Sequence, residues 1–285
     1  MPNRSVYIIL GSLLLATGCS SPEPTGQFGK LIPGNDRFTE VVPEGTVVDR
    51  IGIRFEFTEG PAWHPDDYLI FSDIPANTIY RWEGRRFRIF RQPSGNANGL
   101  LVLSNGTLIA CEHGTRTVSR YTQTGERGGL AETNRGKRRN SPNDLCRTTE
   151  GVIFFTDPPY GLPQRNLDPS KELLFNGVYR LHRDTLTLID STLSWPNGIA
   201  LSPDERYLYV ANTETEEVNG TTQYFMQWLR YTLGEDRESV HKEVFFTPPD
   251  PSLPGGPDGM KVTGEGNLFL TGPGGILVVD ATGEY

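Results

Sequence analysis

The chain has 285 residues, including 32 glycines and 22 prolines, and its formal net charge at pH 7 is −8. This length suits one large or two ordinary domains, and so many glycines and prolines are typical of tight turns between short strands, so we expect mostly β structure. The acidic balance argues against nucleic acid as a partner, because binding to a phosphate backbone needs clustered Lys and Arg.

The first segment of the chain has the features of an export signal. Arg4 precedes an apolar run from Val6 to Ala16, which is too short to cross a bilayer as a mature helix. The run leads into L-A-T-G-C, which resembles the lipobox of bacterial lipoproteins, and Cys19 would then carry the lipid. The alternative is an ordinary signal peptide whose cleavage site includes a cysteine.

These features predict three regions. Residues 1–18 would be a lipoprotein signal peptide, residues 19–35 a flexible tether rich in Ser, Pro, Gly and Thr, and residues 36–285 the folded domain. The mature protein would be anchored in the bacterial cell envelope, facing the periplasm or the exterior. Its contact with the membrane would be the lipid on Cys19. The sequence indicates nothing about oligomeric state.

Five segments of the predicted domain share one pattern: an oxygen-bearing side chain, a turn residue, an apolar residue, then a strand. Each is followed by a polar turn and a second apolar strand. The five first residues are Glu59, Asn98, Asn143, Asn197 and Asp258. The five second strands are 68–73, 107–112, 152–157, 207–212 and 267–272. A unit of three or four strands that recurs about every 40 to 60 residues is typical of a β-propeller.

In a propeller the innermost strand of every blade lines a central channel, so the five side chains are expected to converge. Two carboxylates and three amide oxygens are the hard ligands that Ca²⁺ or Mg²⁺ requires. The alternative is a ring of turn-forming residues around water. Glu59 argues against that alternative, because glutamate has no special preference for turns.

At these positions the chain resembles the SMP-30/gluconolactonase/LRE-like family. The similar segments are FTEGPAW (57–63), NSPNDL (140–145), FFTDPPYG (154–161), WPNGIALSPDERYLYVANT (195–213) and GGPDGM (255–260). The resemblance implies an all-β, six-bladed propeller that hydrolyses sugar lactones and, in some members, other esters. It also implies one divalent cation, usually Ca²⁺, with Mg²⁺, Mn²⁺ and Zn²⁺ as alternatives. By position its ligands would be Glu59, Asn143, Asn197 and Asp258.

The end of the sequence departs from this pattern. Only 27 residues follow Asp258, which predicts that most or all of the sixth blade is lacking at the C-terminus. Closure with five blades is the alternative. By analogy with the family, residues 46–57 are expected to join the last blade.

A cation at this site could polarise the lactone carbonyl and activate the attacking water. Asp258 is the candidate general base as well as a ligand, because a carboxylate beside the attacked carbon can accept the proton of the water. Ligation alone is its alternative role. Further substrate contacts are predicted at Asn98, His113, Asp157 and Tyr160.

The sequence is compatible with three functions. The first is a gluconolactonase-like carboxylic ester hydrolase acting on a small lactone. The second is a broader esterase on the same scaffold, and the third is a non-catalytic envelope propeller that binds a protein or a glycan. Cys111 and Cys146 could form a disulfide in an oxidising compartment or remain two buried thiols.

Overall fold

The computed structural model describes residues 29–84 and 86–285. The predicted signal peptide, Cys19 and the tether as far as residue 28 lie outside the described residues. The described part is almost entirely strand, with one short helix, α1 (Phe38–Val41), and one 3₁₀ turn at Arg165–Leu167. None of its helices is long and apolar enough to span a membrane.

The described strands form six antiparallel sheets of consecutive strands, and five of these have three or four strands. We number the five larger sheets as blades one to five. Blade one contains β1 (Thr58–His64), β2 (Tyr68–Asp73), β3 (Thr78–Trp82) and β4 (Phe87–Arg91); blade two, β5 (Ala97–Val102), β6 (Leu108–Glu112), β7 (Thr117–Tyr121) and β8 (Arg127–Ala131). A two-stranded hairpin, β9 (Thr133–Asn134) and β10 (Lys137–Arg138), follows. Blade three contains β11 (Leu145–Arg147), β12 (Ile153–Asp157), β13 (Gly177–His182) and β14 (Thr185–Asp190); blade four, β15 (Pro196–Leu201), β16 (Tyr207–Val218), β17 (Thr221–Leu233) and β18 (Ser239–Phe246); blade five, β19 (Met260–Val262), β20 (Leu268–Gly272) and β21 (Gly275–Val279).

The predicted all-β propeller is confirmed, and it has five blades and not six, where the expectation was six with most or all of the last one lacking. The described residues form five blades, the fifth with three strands. The three strands of blade five all lie in the residues after Asp258, and no further strand is described after Val279. The first strands of successive blades pack side by side, from β1 through β5, β11 and β15 to β19.

Glycines mark where neighbouring blades meet. A Cβ atom added at Gly60 would lie 2.1 Å from the Asn98 carbonyl oxygen, and one at Gly198 would lie 2.3 Å from that of Asp258. These distances leave no room for any side chain, which is why glycine is required there. A Cβ added at Gly259, in the corresponding position of blade five, would have no atom within 4 Å. The free side of blade five is therefore not covered by another described sheet.

The segment before β1 packs against blade one, and the described residues form no sixth blade for residues 46–57 to join. The Phe55 ring lies edge-on to Phe71, with 4.9 Å between the ring centres, and to Phe87 at 5.0 Å. Burial of apolar rings against blade one favours this placement over an edge position on another sheet. Blade five is instead contacted by earlier residues, through Arg37 Nη1 and Asp280 Oδ2 at 3.0 Å.

The hydrophobic core lies between neighbouring blades. Ile70 of blade one packs with Ala110 of blade two, and Trp228 of blade four packs with Leu270 of blade five. Cys111, fully buried between blades two and three, and Cys146 are both free thiols. Burial raises the pKa of both thiols, which keeps them in the unreactive protonated form.

Candidate functional site

The inner strands begin with the same local structure. In β1, β5 and β15 the pairing with the second strand shifts register between Glu59 and Ala62, between Ala97 and Leu100, and between Pro196 and Ile199. Such a β-bulge turns the side chain at the break away from the alternation of the strand. Asn98 and Asn197 lie within these breaks, and Glu59, paired with Ser72, borders the break in β1, so their position is set by the backbone of each blade.

Asn143 and Asp258 occupy the same position just ahead of β11 and β19. The Asn143 amide donates to the Thr156 carbonyl at 2.9 Å, and the Asp258 amide donates to the Thr271 carbonyl at 3.0 Å. Each bond extends the ladder of its blade by two residues beyond the last regular pair. All five oxygen-bearing residues of the sequence pattern therefore stand in one register.

Hydrogen bonds between blades fix this register around the channel. The Gly99 amide donates to the Asn143 carbonyl at 2.8 Å. The Ser72 hydroxyl donates to the Asn98 carbonyl at 2.8 Å, and the Thr156 hydroxyl donates to the Asn197 carbonyl at 2.7 Å. The backbone carbonyls of Asn98, Asn143 and Asn197 are thus each tied to the neighbouring blade.

Asp144 is a site residue that the sequence argument did not single out. Its Oδ1 accepts a bond from the Leu145 amide at 2.8 Å, and its Oδ2 accepts one from the Ile199 amide at 3.2 Å. The carboxylate therefore links blade three to blade four. Asp144 follows Asn143 in the position that glycine holds after Asn98 and after Asn197. The departure from Asn-Gly to Asn-Asp was the signal available in the sequence.

The carboxylates at this end of the channel influence one another. Burial raises the pKa of Glu59 well above its ordinary value, and the charges of Asp258 and Asp144 raise it further. Burial also raises the pKa of Asp258, to about 6, although the amide of Asn197 favours its ionised form. The structure thus brings Glu59, Asp258 and Asn197 into one electrostatic neighbourhood.

The donor set at this place fits a hard divalent cation. Glu59 and Asp258 offer carboxylate oxygens, while Asn143 and Asn197 offer amide oxygens, the ligand types that Ca²⁺ takes. Asn143 is buried, and its side chain makes no hydrogen bond to any other described residue. The described residues contain no group of three or more His, Cys, Asp or Glu that could hold a metal. A cation here would therefore take half of these four ligands from amides.

The predicted substrate contacts lie in two different environments. Asn98 Nδ2 and His113 Nε2 are 3.4 Å apart, and both residues are buried. Desolvation lowers the pKa of His113 to about 4, so its imidazole is neutral at pH 7. Asp157 has no exposed surface, and its Oδ2 accepts a bond from the Asn140 amide at 3.0 Å. Asp157 therefore holds the turn that contains Asn140 and has no surface open to a substrate.

Tyr160 stands on a loop held by the Asn140–Ser141 turn. The Ser141 hydroxyl donates to the Pro158 carbonyl at 2.6 Å and accepts a bond from the Gly161 amide at 2.9 Å. The Tyr160 ring stacks on Trp195, with 5.5 Å between the ring centres. Burial and the charge of Asp258 both raise the pKa of the Tyr160 phenol, which places Tyr160 beside the carboxylates.

The sequence is similar to known proteins of one family. A family model described as "SMP-30/Gluconolactonase/LRE-like region" matches residues 57–285. A gluconolactonase from Zymomonas mobilis is 37% identical over 283 residues, covering 90% of this chain and 76% of that protein. A pentonolactonase from Haloferax volcanii is 25% identical over 234 residues, covering 78% of this chain and 68% of that protein.

Solved structures give the same picture of the fold. A gluconolactonase from Xanthomonas campestris superposes with a TM-score of 0.77 at 29% identity, covering 93% of this chain and 87% of that one. The calcium-binding protein regucalcin from Agrobacterium tumefaciens has a TM-score of 0.62 at 19% identity, covering 81% of this chain and 73% of that one. The second likeness concerns the fold alone.

Proposed function

Because the chain belongs to the SMP-30/gluconolactonase/LRE-like family, we propose that it is a lactonase that hydrolyses the cyclic ester of a sugar acid. The observation that carries the proposal is the concentration of negative charge at the inner strand ends. The charges of Asp258 and Asp144 raise the pKa of Glu59, and the charge of Asp144 raises that of Asp258, while the Gly60 amide and the exposed Lys261 side chain offset part of the effect on Glu59. Buried like charges are costly, and functional sites are where such costs are retained.

Glu59, Asn143, Asn197 and Asp258 would hold a divalent cation, Ca²⁺ in the first instance, with Mg²⁺, Mn²⁺ and Zn²⁺ as alternatives. When bound, such an ion supplies Lewis acidity toward a carbonyl oxygen and acidifies nearby water. Two carboxylates balance its charge, which removes the repulsion between Glu59 and Asp258. The two amides add neutral oxygen donors, so these four ligands together balance the charge of a divalent cation.

Asp258 is assigned the proton transfer. Its pKa of about 6 leaves the carboxylate ionised at neutral pH, so it can accept the proton of an attacking water. The amide of Asn197 donates to the Pro257 carbonyl at 3.2 Å, which anchors that amide next to Asp258. From this position the Asn197 amide also hydrogen-bonds the Asp258 carboxylate and favours its ionised form.

Tyr160, Asn98 and His113 are assigned to the substrate. The neutral His113 ring next to Asn98 offers hydrogen-bonding groups without a charge, which suits sugar hydroxyls. The Tyr160 ring, held against Trp195, offers an apolar face with a polar edge. Asp157 is buried and is assigned a positioning role, because it holds the Asn140–Ser141 turn that supports the loop of Tyr160.

The test is acid release from several aldonolactones, followed with a pH indicator, for the full chain with Ca²⁺, with EDTA, and after Ca²⁺ is restored. We expect hydrolysis that EDTA abolishes and Ca²⁺ recovers. Asp258→Asn should lower kcat by roughly 100-fold or more, the usual contribution of a general base. Asp236→Asn, at an exposed turn, is the matched control and should keep full activity.

Each alternative function predicts a different result. Hydrolysis of p-nitrophenyl acetate at rates above those for every lactone would indicate a broader esterase. An absence of metal-dependent acid release from any ester would favour a binding propeller. Full activity of Asp258→Asn in the presence of Ca²⁺ would remove the assigned base while leaving the lactonase proposal in place.

A further inference from the structure

A crevice opens beside the candidate site, between two segments that the other blades lack. One is the loop of residues 158–176, which connects β12 to β13. The other is the hairpin of β16 and β17, which are 12 and 13 residues long, whereas the second and third strands of the other blades have five or six. The crevice between them has a volume of about 800 Å³.

The inner end of this crevice adjoins the candidate site. Trp195, which lines it, precedes Asn197 by two residues, and Tyr160 lies close enough to Asp258 for its pKa to respond to that charge. On the hairpin side, the Thr213 hydroxyl is 3.9 Å from where a Cβ atom of Gly256 would stand, two residues before Asp258. A molecule bound at the carboxylates could therefore extend into the crevice without a break.

The lining combines aromatic rings with uncharged hydrogen-bonding groups. The stacked pair of Tyr160 and Trp195 forms one wall, and Tyr224 on the hairpin faces the crevice with 61% of its surface exposed. The hydroxyls of Thr213 and Thr215 lie on the same hairpin face and make no hydrogen bond to another described residue. These hydroxyls are available to a ligand.

Charge contributes little to this lining. The Lys171 ammonium already donates to the carbonyls of Leu173 at 2.5 Å and Phe175 at 3.2 Å. The Asp168 carboxylate accepts bonds from the Gln164 and Ser170 amides at 3.0 and 2.9 Å. An anionic ligand would meet Arg165 as the remaining cation of the lining. The crevice therefore favours a neutral ligand that carries many hydroxyls and has an apolar face, which describes a pyranose ring.

We propose that this crevice binds a second sugar unit, so that the enzyme acts on lactones of glycosylated aldonic acids as well as on simple aldonolactones. The proposal rests on the lactonase function proposed above. Pockets of about 300 to 1,000 Å³ hold ligands of drug size, and this crevice lies near the upper end in addition to the channel itself. Water would add to the lactone carbonyl and the ring C–O bond would break, giving a carboxylate, a hydroxyl group and a released proton. The glycosidic bond would remain intact.

The experiment compares kcat/KM for glucono-1,5-lactone with that for the 1,5-lactones of maltobionic and cellobionic acid, followed by proton release. We expect at least one disaccharide lactone to be preferred by about tenfold, the value of one well-placed stacking contact. Tyr224→Ala should lower kcat/KM for that lactone by about five- to tenfold and leave glucono-1,5-lactone unchanged. Phe225→Ala is the matched control, because Phe225 is the next residue along β17 and points to the opposite face of the hairpin.

The possible failures are distinguishable. Hydrolysis of glucono-1,5-lactone without any preference for a disaccharide lactone would overturn the second subsite and leave the lactonase proposal standing. A preference that survives Tyr224→Ala, or that Phe225→Ala reduces equally, would overturn the assignment to this crevice. An absence of hydrolysis of all three lactones would overturn both proposals.

Discussion

At the scale of single residues, the carboxylates of Asp144 and Asp157 accept hydrogen bonds from backbone amides and so hold the segments around the oxygen-bearing positions. Glu59, Asn98 and Asn197 could be found because the same bulged backbone recurs and leaves the same local pattern in each blade. The role of Asp157 could not be found, because a strand-end aspartate before two prolines gives no sign that its carboxylate turns inward to the Asn140 amide. Contacts between distant residues decide such roles.

Asp144 provides a prediction at this scale. Asp144→Ala removes the acceptor for the amides of Leu145 and Ile199, both of which lie in buried strands. Each unsatisfied buried amide costs about 1 to 3 kcal/mol, so we expect the free energy of unfolding to fall by about 2 to 4 kcal/mol. Urea denaturation followed by fluorescence measures this change. Asp144→Asn keeps one acceptor oxygen and should lose less; an equal loss would contradict the hydrogen-bond explanation.

His113 predicts a pH dependence of stability. Its pKa is lowered by burial to about 4 from the ordinary value of 6.5, so the unfolded chain binds a proton in this window that the folded protein does not. Stability from this residue is therefore complete above pH 6.5 and is lost as the pH falls toward 4. The loss amounts to about 3 kcal/mol over the window.

Replacing the imidazole tests this pH dependence. His113→Gln should flatten the rise of the unfolding free energy between pH 4 and 6.5, measured by urea denaturation at several pH values. His241→Gln is the control, because the His241 side chain is 62% exposed. A wild-type slope retained in His113→Gln would show that other groups cause the acid sensitivity.

At the scale of elements, the apolar second strands were predictable and the long hairpin of blade four was not. Residues 207–212 were expected as a strand, but β16 continues to Val218 and pairs with β17 throughout. Beyond Asn212 the hairpin stands clear of the core, so it needs no alternation of apolar residues. Its turn did leave a signal: Asn219 and Gly220 have φ angles of 52° and 76°, the backbone that favours Asn-Gly.

This turn gives a prediction for the hairpin. Gly220→Ala places a Cβ atom at a positive φ, which costs about 1 kcal/mol and should fray the tip. Limited proteolysis under native conditions should then cleave within residues 213–225 several times faster than in the unchanged protein. Gly264→Ala is the control, since Gly264 has an ordinary φ and open space around its Cα. Equal cleavage rates in all three proteins would mean that the turn does not limit the hairpin.

At the scale of the whole molecule, composition and repeat spacing were enough to predict an all-β propeller, because each blade buries its faces against its neighbours and repeats the same short pattern. The number of blades could not be predicted from this pattern alone, and only the short stretch after Asp258 indicated that a sixth would be lacking. Packing between sheets determines it, and the pattern within a blade is the same in rings of different size. The family resemblance suggested six, whereas the described residues form five blades with an uncovered side at Gly259.

The contrast between Gly198 and Gly259 tests this arrangement directly. The two glycines occupy equivalent positions in adjacent blades, but a Cβ atom would clash with the Asp258 carbonyl oxygen at 2.3 Å in one case and meet nothing within 4 Å in the other. Backbone cannot move aside as a flexible side chain can, so Gly198→Ala should lower the free energy of unfolding by about 3 kcal/mol or more. Gly259→Ala should change it by less than about 0.5 kcal/mol. Thermal and urea denaturation of the two variants measures the difference, and a large loss from Gly259→Ala would show that the side of blade five is covered in solution.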